Sequence, residues 1–272
     1  MEAATLFSAQ GRTALVTGGA TGIGRHAAEA LVRGGARVIL ASRKRAACER
    51  TAAELSAFGQ CEALEGDLST EEGVRGLAEA VRQRCDRLDI LVNNAGATWG
   101  APFAAFPWQG WTKVLATNVT GLFALTRDLA PLLAASATPD MPSRVVNIGS
   151  SAGIQPYGGD AYSYAVSKAG VHHLTRILAN ELGPRGITVN AIAPGPFETR
   201  MTAFALASEG GRAHAASMLP LRRIGRPQDI AAAVLFLCGE GGGFVTGAII
   251  PVDGGLSACA PPPLLAEGNP PE

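Results

Sequence analysis

The sequence contains few residues of the kind that cross-link secreted proteins or bind metals. Its cysteines are odd in number, scattered, and never arranged as Cys-x-x-Cys: Cys48, Cys61, Cys85, Cys238 and Cys259. This pattern argues against a disulfide scaffold or a zinc site and favours reduced thiols in the cytoplasm. His172 and His173 are adjacent and point in different directions on a helix. With no other His or Cys nearby, no metal is expected.

The chain also lacks an excess of either charge and lacks long apolar runs. Acidic and basic residues balance at 23 each, so nothing indicates nucleic acid or an acidic membrane as a partner. The longest apolar runs, such as residues 231–238, are too short to span a bilayer. Residues 1–11 contain no long apolar run, so no secretory signal is expected.

What the sequence does contain is a regular alternation of short apolar strands and helical patterns. Several strands are continuous Val/Ile/Leu runs, which is typical of strands buried on both faces. The alternation predicts an α/β fold: a doubly wound, Rossmann-type parallel sheet of about seven strands with helices on both faces. The predicted strands are 13–17, 37–42, 60–64, 90–93, 144–148, 188–193 and 248–252. The predicted helices are 23–34, 44–58, 71–84, 109–133, 162–182 and 228–238.

No interior linker or repeat divides the chain. Apolar residues make up 47% of the 272 residues, enough for one large core. A single dinucleotide-binding and catalytic domain is therefore expected over residues 1–257. Residues 258–272 are rich in proline and end in acidic sequence, which predicts a flexible tail.

A glycine-rich segment follows the first strand and leads into a helix. In the run 17–24, Gly18 permits a tight turn, Gly22 allows close backbone approach, and Gly24 lets the helix pack on the sheet. A pyrophosphate would lie at the helix N-terminus, where free N–H groups and the helix dipole favour an anion. The alternative is a glycine-rich turn without a ligand.

The end of the second strand indicates which dinucleotide binds. An acidic residue there would bind the ribose 2′-hydroxyl of NAD, but the sequence has Ser42 and Arg43 followed by two more basic residues. Arg43 is placed to pair with a 2′-phosphate, so NADP(H) is favoured over NAD(H). The alternative is a solvated basic start to the next helix. After the third strand, Asp67 and Leu68 are candidates to contact the adenine, although an N-cap role for Asp67 or Ser69 is also open.

Tyr164 and Lys168 lie four residues apart, with Ser150 upstream at the end of a predicted strand. A tyrosine has a reference pKa near ~10 and is a poor acid–base catalyst at neutral pH. Residues i and i+4 share a helix face, so we expect the Lys168 ammonium to lower the Tyr164 pKa. Ser150 would hold the substrate oxygen. Alone, the Tyr/Lys pair also fits an ordinary helix surface.

Two other classes of function stay open. Residues 149–153 also read Gly-x-Ser-x-Gly, the nucleophile elbow of α/β hydrolases, with Ser151 as nucleophile and His214 as a downstream partner. The glycines and Pro156 after that serine favour a loop, whereas an elbow needs a helix to start at once. A catalytically silent nucleotide-binding sensor or scaffold is the other alternative, and the intact Ser/Tyr/Lys set argues against it.

Taken in order, these motifs resemble the short-chain dehydrogenase/reductase family over residues 11–256. The resemblance rests on the loop 17–24, Asn93-Asn94-Ala95-Gly96, Asn118, Ser150, Tyr164 with Lys168, Pro194-Gly195 and the run 251–255. Within the family, segments 172–176 and 190–197 are most similar to NADPH-dependent 3-oxoacyl reductases of the rhamnolipid-associated type. Many members carry a basic residue where this chain has Thr21, so the NADP preference here depends on Arg43 and its neighbours.

The resemblance implies a role for each matched residue. Tyr164 is the general acid in reduction, Lys168 lowers its pKa and holds the nicotinamide ribose, and Ser150 orients the carbonyl. Asn118 marks a helix kink whose backbone holds a water in a proton relay. The remaining implied cofactor contacts are Thr21, Ile23, Asn94, Ala95, Gly96, Pro194, Gly195, Phe197 and Thr199. The resemblance also implies a homotetramer.

The substrate is expected to be a small carbonyl/alcohol pair. The predicted walls are residues 151–157, 99–106 and 197–206, with 201–206 as a mobile apolar lid. No cluster of Arg or Lys in these walls demands an acidic substrate. An apolar ketone or a 3-oxoacyl thioester is therefore favoured, and a sugar or polyol is the alternative.

Overall fold

The structure, a computed structural model, describes residues 2–156 and 159–258. The predicted tail lies outside the described residues from position 259 onward. Tyr157 and Gly158, one of which belongs to a predicted substrate wall, also lie outside them.

A seven-stranded parallel sheet forms the centre of the described residues. Its strands are β1 (Thr13–Thr17), β2 (Arg37–Ser42), β3 (Cys61–Glu65), β4 (Ile90–Asn93), β5 (Ser143–Ile148), β6 (Ile187–Pro194) and β7 (Ile249–Val252). The strand order is β3-β2-β1-β4-β5-β6-β7, and every pairing is parallel. The predicted doubly wound sheet is confirmed, and the strand bounds agree with the prediction to within one residue.

Helices cover both faces of this sheet. They are α1 (Ala3–Leu6), α2 (Gly22–Arg33), α3 (Arg45–Leu55), α4 (Glu71–Arg82), α5 (Trp108–Leu115), α6 (Leu122–Ser136), α7 (Tyr162–Leu182), α8 (Ala203–Leu206), α9 (Glu209–Ser217) and α10 (Pro227–Cys238). None of the described helices combines the length and the apolarity that crossing a bilayer requires.

Alternation along each strand divides the apolar residues between two cores. In β1, Val16 packs with α2, α3 and α10, whereas Leu15 packs with α4, α6 and α7. Val92 and Leu91 of β4 divide in the same way. Because successive side chains of a strand point to opposite faces, a continuous apolar run serves both cores. This explains why the strands were recognisable as unbroken Val/Ile/Leu segments.

One predicted helix, 109–133, is wrong as a single regular element. The chain instead forms α5, a π-helical stretch Ala116–Gly121, and α6. The expected kink at Asn118 is present as this π-helix, in which the backbone is widened by an extra residue per turn. Helices α1, α8 and α9 were not predicted. The run 209–217 is Gly- and Ala-rich without an apolar stripe, and no α9 residue is buried.

The strand order reverses next to β1, where β2 continues to one side and β4 to the other. Such a switch point opens a crevice at the carboxyl ends of the strands. At the base of this crevice the Thr17 hydroxyl joins the ends of β1 and β4. It accepts hydrogen bonds from the N–H groups of Asn94 at 3.0 Å and Ala95 at 3.1 Å. The crevice brings the ends of β1, β2, β4, β5 and β6 to one place.

Candidate active site

A cavity of about 500 Å³ fills the crevice. Nearly all the predicted cofactor residues line it: Gly18, Thr21, Gly22, Ile23, Ser42, Arg43, Asp67, Leu68, Asn94, Ala95, Gly96, Tyr164, Lys168, Pro194, Gly195, Phe197 and Thr199. Ser150 also lines it, whereas Gly24 and Asn118 lie behind the lining. The predicted residues therefore meet in one site although they span most of the chain.

The glycine loop has the close packing that a phosphate cradle needs. Gly18 adopts φ +64°, and a Cβ there would lie 2.7 Å from Asn94 Nδ2. Gly24 faces inward, and a Cβ on it would collide with the Gly18 carbonyl and the Asn94 amide. Thr21 is the N-cap of α2 and makes no side-chain capping bond. The first N–H groups of α2 therefore face the cavity without a hydrogen bond from the Thr21 side chain. Such unpaired N–H groups are what an anion site requires.

Thr199 closes the loop from the other side. A Cβ at Gly22 would lie 3.2 Å from Thr199 Cγ2, so the two segments are in van der Waals contact. The Thr199 and Thr202 hydroxyls lie 3.0 Å apart, and Thr202 Oγ1 donates to the Phe197 carbonyl at 2.6 Å. Thr202 was not predicted as part of the site, because a threonine in an irregular segment carries no motif of its own.

The basic residues after β2 differ in their availability. Arg45 is paired with Glu49 at 2.8 Å on the same helix. Arg43 and Lys44 are exposed, line the cavity, and have no ion pair within the described residues. The Ser42 hydroxyl accepts from the Lys44 N–H at 3.2 Å, which fixes the turn between them. Arg43 and Lys44 are thus the cations at this end of the cavity that are free to bind a phosphate.

Asp67 does not cap the next helix. Its carboxylate accepts from the Ser69 N–H at 2.9 Å and the Ser69 hydroxyl at 2.7 Å. The N-cap of α4 is Thr70, whose hydroxyl accepts from the Gly73 N–H at 3.1 Å. The N-cap alternative for Asp67 or Ser69 is therefore wrong, and Asp67 stays at the cavity wall.

Ser150, Tyr164 and Lys168 converge where β5 ends and α7 begins. Tyr164 is half-buried and hydrogen-bonded to the Ser150 side chain. Lys168 is buried, lies with Nζ 5.7 Å from the centre of the Tyr164 ring, and donates to the Ile148 carbonyl at 2.7 Å. The end of β5 therefore holds the lysine beside the tyrosine ring.

That Lys168 lowers the Tyr164 pKa stays a prediction, and the net shift of that pKa in the described structure is upward. Burial raises the Tyr164 pKa above its ordinary value, and the hydrogen bond with Ser150 opposes that rise. Burial also lowers the pKa of Lys168 to about 8. Desolvation disfavours the charged form of both groups. At neutral pH the phenol consequently keeps its proton, as a proton donor must, and the lysine remains mainly charged.

Asn118 lies in the π-helix and is fully satisfied by neighbouring segments. Its Oδ1 accepts from the Ala97 N–H at 2.7 Å, and its Nδ2 donates to the Ala97 carbonyl at 3.0 Å and to Ser167 Oγ at 2.9 Å. The side chain thus ties the loop after β4 to α7, between Tyr164 and Lys168. The backbone water that the family resemblance implies stays a prediction.

Ser151 does not have the geometry of a hydrolase nucleophile. Its hydroxyl is buried and donates to the Pro194 carbonyl at 3.0 Å. A short 3-10 turn, Ser151–Gly153, follows, and α7 begins only at Tyr162. His214 is exposed on α9. A nucleophile elbow needs a free serine on a strand-to-helix turn with a histidine in reach, so the hydrolase interpretation is wrong.

An aromatic cluster forms at the first residue of α7. Tyr162 meets the ring of Phe106 edge-on at 5.3 Å and that of Phe103 at 5.9 Å between centroids. Phe103 is 83% exposed and Phe204 on α8 is 93% exposed.

Comparison with known proteins agrees with this geometry. Residues 18–257 match the family model described as enoyl-(acyl carrier protein) reductase. The chain is 48% identical over 250 residues to the rhamnolipids biosynthesis 3-oxoacyl-[acyl-carrier-protein] reductase of Pseudomonas aeruginosa, covering 92% of this chain and 98% of that protein. It is 37% identical over 249 residues to the 3-oxoacyl-[acyl-carrier-protein] reductase FabG of Aquifex aeolicus, covering 91% and 98%.

A solved structure is equally similar. The Pseudomonas aeruginosa RhlG/NADP active-site complex superimposes with a TM-score of 0.91 at 47% identity, covering 94% of this chain and all of that chain. The residues that match the family model, 18–257, include Ser150, Tyr164 and Lys168. The chain belongs to the short-chain dehydrogenase/reductase family.

Proposed function

We propose that this protein is an NADP(H)-dependent ketoreductase that reduces the 3-oxo group of an acyl thioester to a secondary alcohol. The observation that carries the proposal is the meeting of Ser150, Tyr164 and Lys168 in one cavity with the glycine loop. The relatives named as 3-oxoacyl-[acyl-carrier-protein] reductases support this substrate class. A small apolar ketone is the simpler substrate of the same chemistry, and a sugar or polyol is the alternative within the family.

The residues of the cavity fit a dinucleotide phosphate. The cradle at Gly18 and Gly22 has no room for side chains, the first N–H groups of α2 face it, and Arg43 stands free at its far end. When bound, NADPH supplies the hydride. Arg43 and Lys44 would hold the 2′-phosphate, and Lys168 the nicotinamide ribose. The RhlG/NADP complex supports the same choice of cofactor.

Residues of the chain orient the substrate carbonyl and supply the proton. Ser150 donates a hydrogen bond to the substrate oxygen and orients it beside the Tyr164 hydroxyl. Tyr164 gives its proton to that oxygen as negative charge develops there. The charged Lys168 favours the resulting phenolate, and Asn118 holds the loop at Ala97 against α7 while this occurs.

Replacing Arg43 with alanine is expected to weaken NADPH binding about 10- to 40-fold and to leave NADH binding unchanged. The guanidinium faces a phosphate that NADH lacks, and a hydrogen bond to a charged group contributes roughly 1.5–3 kcal/mol. Lys44 shares the contact, which places the effect in the lower part of that range. Because the contact is exposed, the difference should shrink at high salt. Titration of nicotinamide fluorescence measures both affinities.

Arg45→Ala is the matched control. Arg45 is already paired with Glu49, so its replacement should leave NADPH binding unchanged. An equal loss of NADPH and NADH affinity in Arg43→Ala would assign Arg43 to the fold or the adenine. A wild type that prefers NADH would contradict the NADP(H) assignment itself.

We also infer that the protein assembles as a homotetramer. Val166 and Ile177 are both about half exposed on α7, eleven residues or three helical turns apart, and therefore lie on one face. Leu221 and Phe244 near the C-terminal end of the described chain are also exposed. Self-complementary apolar faces of this kind suit symmetric subunit contacts.

Light scattering at micromolar concentration should give about four times the mass of one chain. A charged residue at the centre of the α7 face, Ile177→Asp, should lower that mass by opening one contact. A monomeric wild type would refute the tetramer.

The cellular location that we propose is the cytoplasm. The free thiols of Cys48, Cys61, Cys85 and Cys238 support a reducing compartment of this kind.

A further inference from the structure

His172 is buried directly behind the turn that carries Ser150. It follows Lys168 by one turn of α7 and is 5% exposed, whereas His173 points outward. Two glycines make room for the ring. A Cβ at Gly149 would collide with His172 Nε2, and one at Gly153 would lie 2.9 Å from His172 Cε1. The imidazole therefore fills the space between the two ends of the Ser150 turn.

The imidazole also bonds to that turn. The Ser150 N–H donates to His172 Nε2 at 3.4 Å, and His172 has a backbone hydrogen bond with Gly153. Within the described residues, His172 is the acceptor for the buried Ser150 N–H, which would otherwise be left without a partner.

The chemistry of the pocket keeps this ring neutral. Burial, chiefly, and the nearby cations Lys168 and Arg176 lower the His172 pKa to about 4, against an opposing effect of the hydrogen bond with the Gly153 backbone. A neutral imidazole has one ring nitrogen that accepts and one that donates, whereas the protonated ring only donates. At neutral pH, Nε2 is thus available as an acceptor for Ser150.

We propose that His172 is a positioning residue for carbonyl reduction, acting through Ser150. Its acceptor nitrogen fixes the Ser150 peptide and thereby directs the Ser150 hydroxyl at the substrate oxygen. The other hydrogen bonds of the serine involve its own turn and Tyr164. Its hydroxyl accepts from the Ala152 N–H at 3.1 Å and is bonded to the Tyr164 side chain, and its carbonyl accepts from the Gly153 N–H at 2.9 Å. This inference rests on the proposed function, because the direction of Ser150 matters only if a carbonyl is bound there.

The test compares H172Q, H172N and H172L with the exposed control H173Q. Glutamine reaches the position of Nε2 with an acceptor oxygen, asparagine is one methylene too short, and leucine keeps apolar volume without an acceptor. We measure kcat and KM with NADPH and a 3-oxoacyl thioester, the stoichiometry of NADPH binding by fluorescence, and the melting temperature. Small misplacements of a reacting group cost up to ~10²-fold in rate.

We expect kcat to fall about 5- to 50-fold in H172N and H172L, within that bound, with NADPH stoichiometry and KM for NADPH unchanged. H172Q should recover most of the loss, and H173Q should match the wild type. A purely structural role would instead lower the melting temperature and the NADPH stoichiometry with kcat per binding site preserved. Should H172L fail to fold, the comparison of H172N with H172Q decides.

An active wild type whose H172N variant keeps its kcat per NADPH-binding site would overturn this inference alone. A wild type inactive on every carbonyl would overturn the proposed function and this inference with it.

Discussion

Replacing Tyr164 with phenylalanine is expected to lower kcat for carbonyl reduction about 10²- to 10⁴-fold, the usual contribution of a general acid. The change removes one hydroxyl and keeps the ring. The dissociation constant for NADPH should therefore stay within about twofold of the wild-type value, well below the tenfold change that ~1.4 kcal/mol of binding free energy would produce. Burial raises the Tyr164 pKa, so this hydroxyl holds its proton throughout the neutral range. Stopped-flow and steady-state rates with NADPH and a 3-oxoacyl thioester measure the effect.

Tyr162→Phe is the matched control for this experiment. Tyr162 lies two residues earlier on α7, and the described contacts of its ring are the edges of Phe103 and Phe106. Loss of its hydroxyl should leave kcat nearly unchanged. Comparable rates in Tyr164→Phe and Tyr162→Phe would remove Tyr164 from the chemistry and with it the proposed proton donor.

Ser150→Ala is expected to reduce kcat about 10²-fold, in the range observed when one hydrogen-bond donor to a developing oxyanion is removed. The Ser150 hydroxyl also lowers the pKa of Tyr164. Its loss should therefore leave the phenol harder to ionise and shift the alkaline limb of the pH–rate profile to higher pH. Rates of reduction across neutral and alkaline pH measure both effects.

Ser151→Ala serves as the internal comparison for Ser150→Ala. Ser151 donates to the Pro194 carbonyl, so its loss should act through packing and cost much less activity. If Ser151→Ala were the more damaging change, the serine assignment would be reversed and a serine nucleophile would have to be considered again.

The sheet was predictable because its strands are apolar on both faces. Val16 and Leu15 belong to opposite cores, so the successive central positions 14–16 of β1 are all apolar, and that run stood out in the sequence. The alternation of strands and helices predicted a parallel, doubly wound sheet with right-handed connections, whereas the order of its strands came from the structure. Local patterns therefore sufficed for the fold class.

The details of the site depended on contacts that no local pattern records. Lys168 was placed near Tyr164 because it lies one helical turn away, but that spacing did not reveal the hydrogen bond from its ammonium to the Ile148 carbonyl on a neighbouring strand. Likewise, Thr70 rather than Asp67 caps α4. His172 stands behind Ser150 only because Gly149 and Gly153 leave room there. The contacts of Lys168 and His172 join segments that are distant in the chain, whereas the N-cap of α4 was a choice between neighbouring residues.

The most direct measurement is the consumption of reduced nicotinamide by the purified protein, followed by its near-ultraviolet absorbance. NADPH and NADH are each offered with 3-oxoacyl thioesters, simple apolar ketones and sugar ketones. The account predicts rapid consumption of NADPH with the thioester, slower consumption of NADH, and almost none in Tyr164→Phe. No consumption with any carbonyl, or undiminished consumption in Tyr164→Phe, would contradict it.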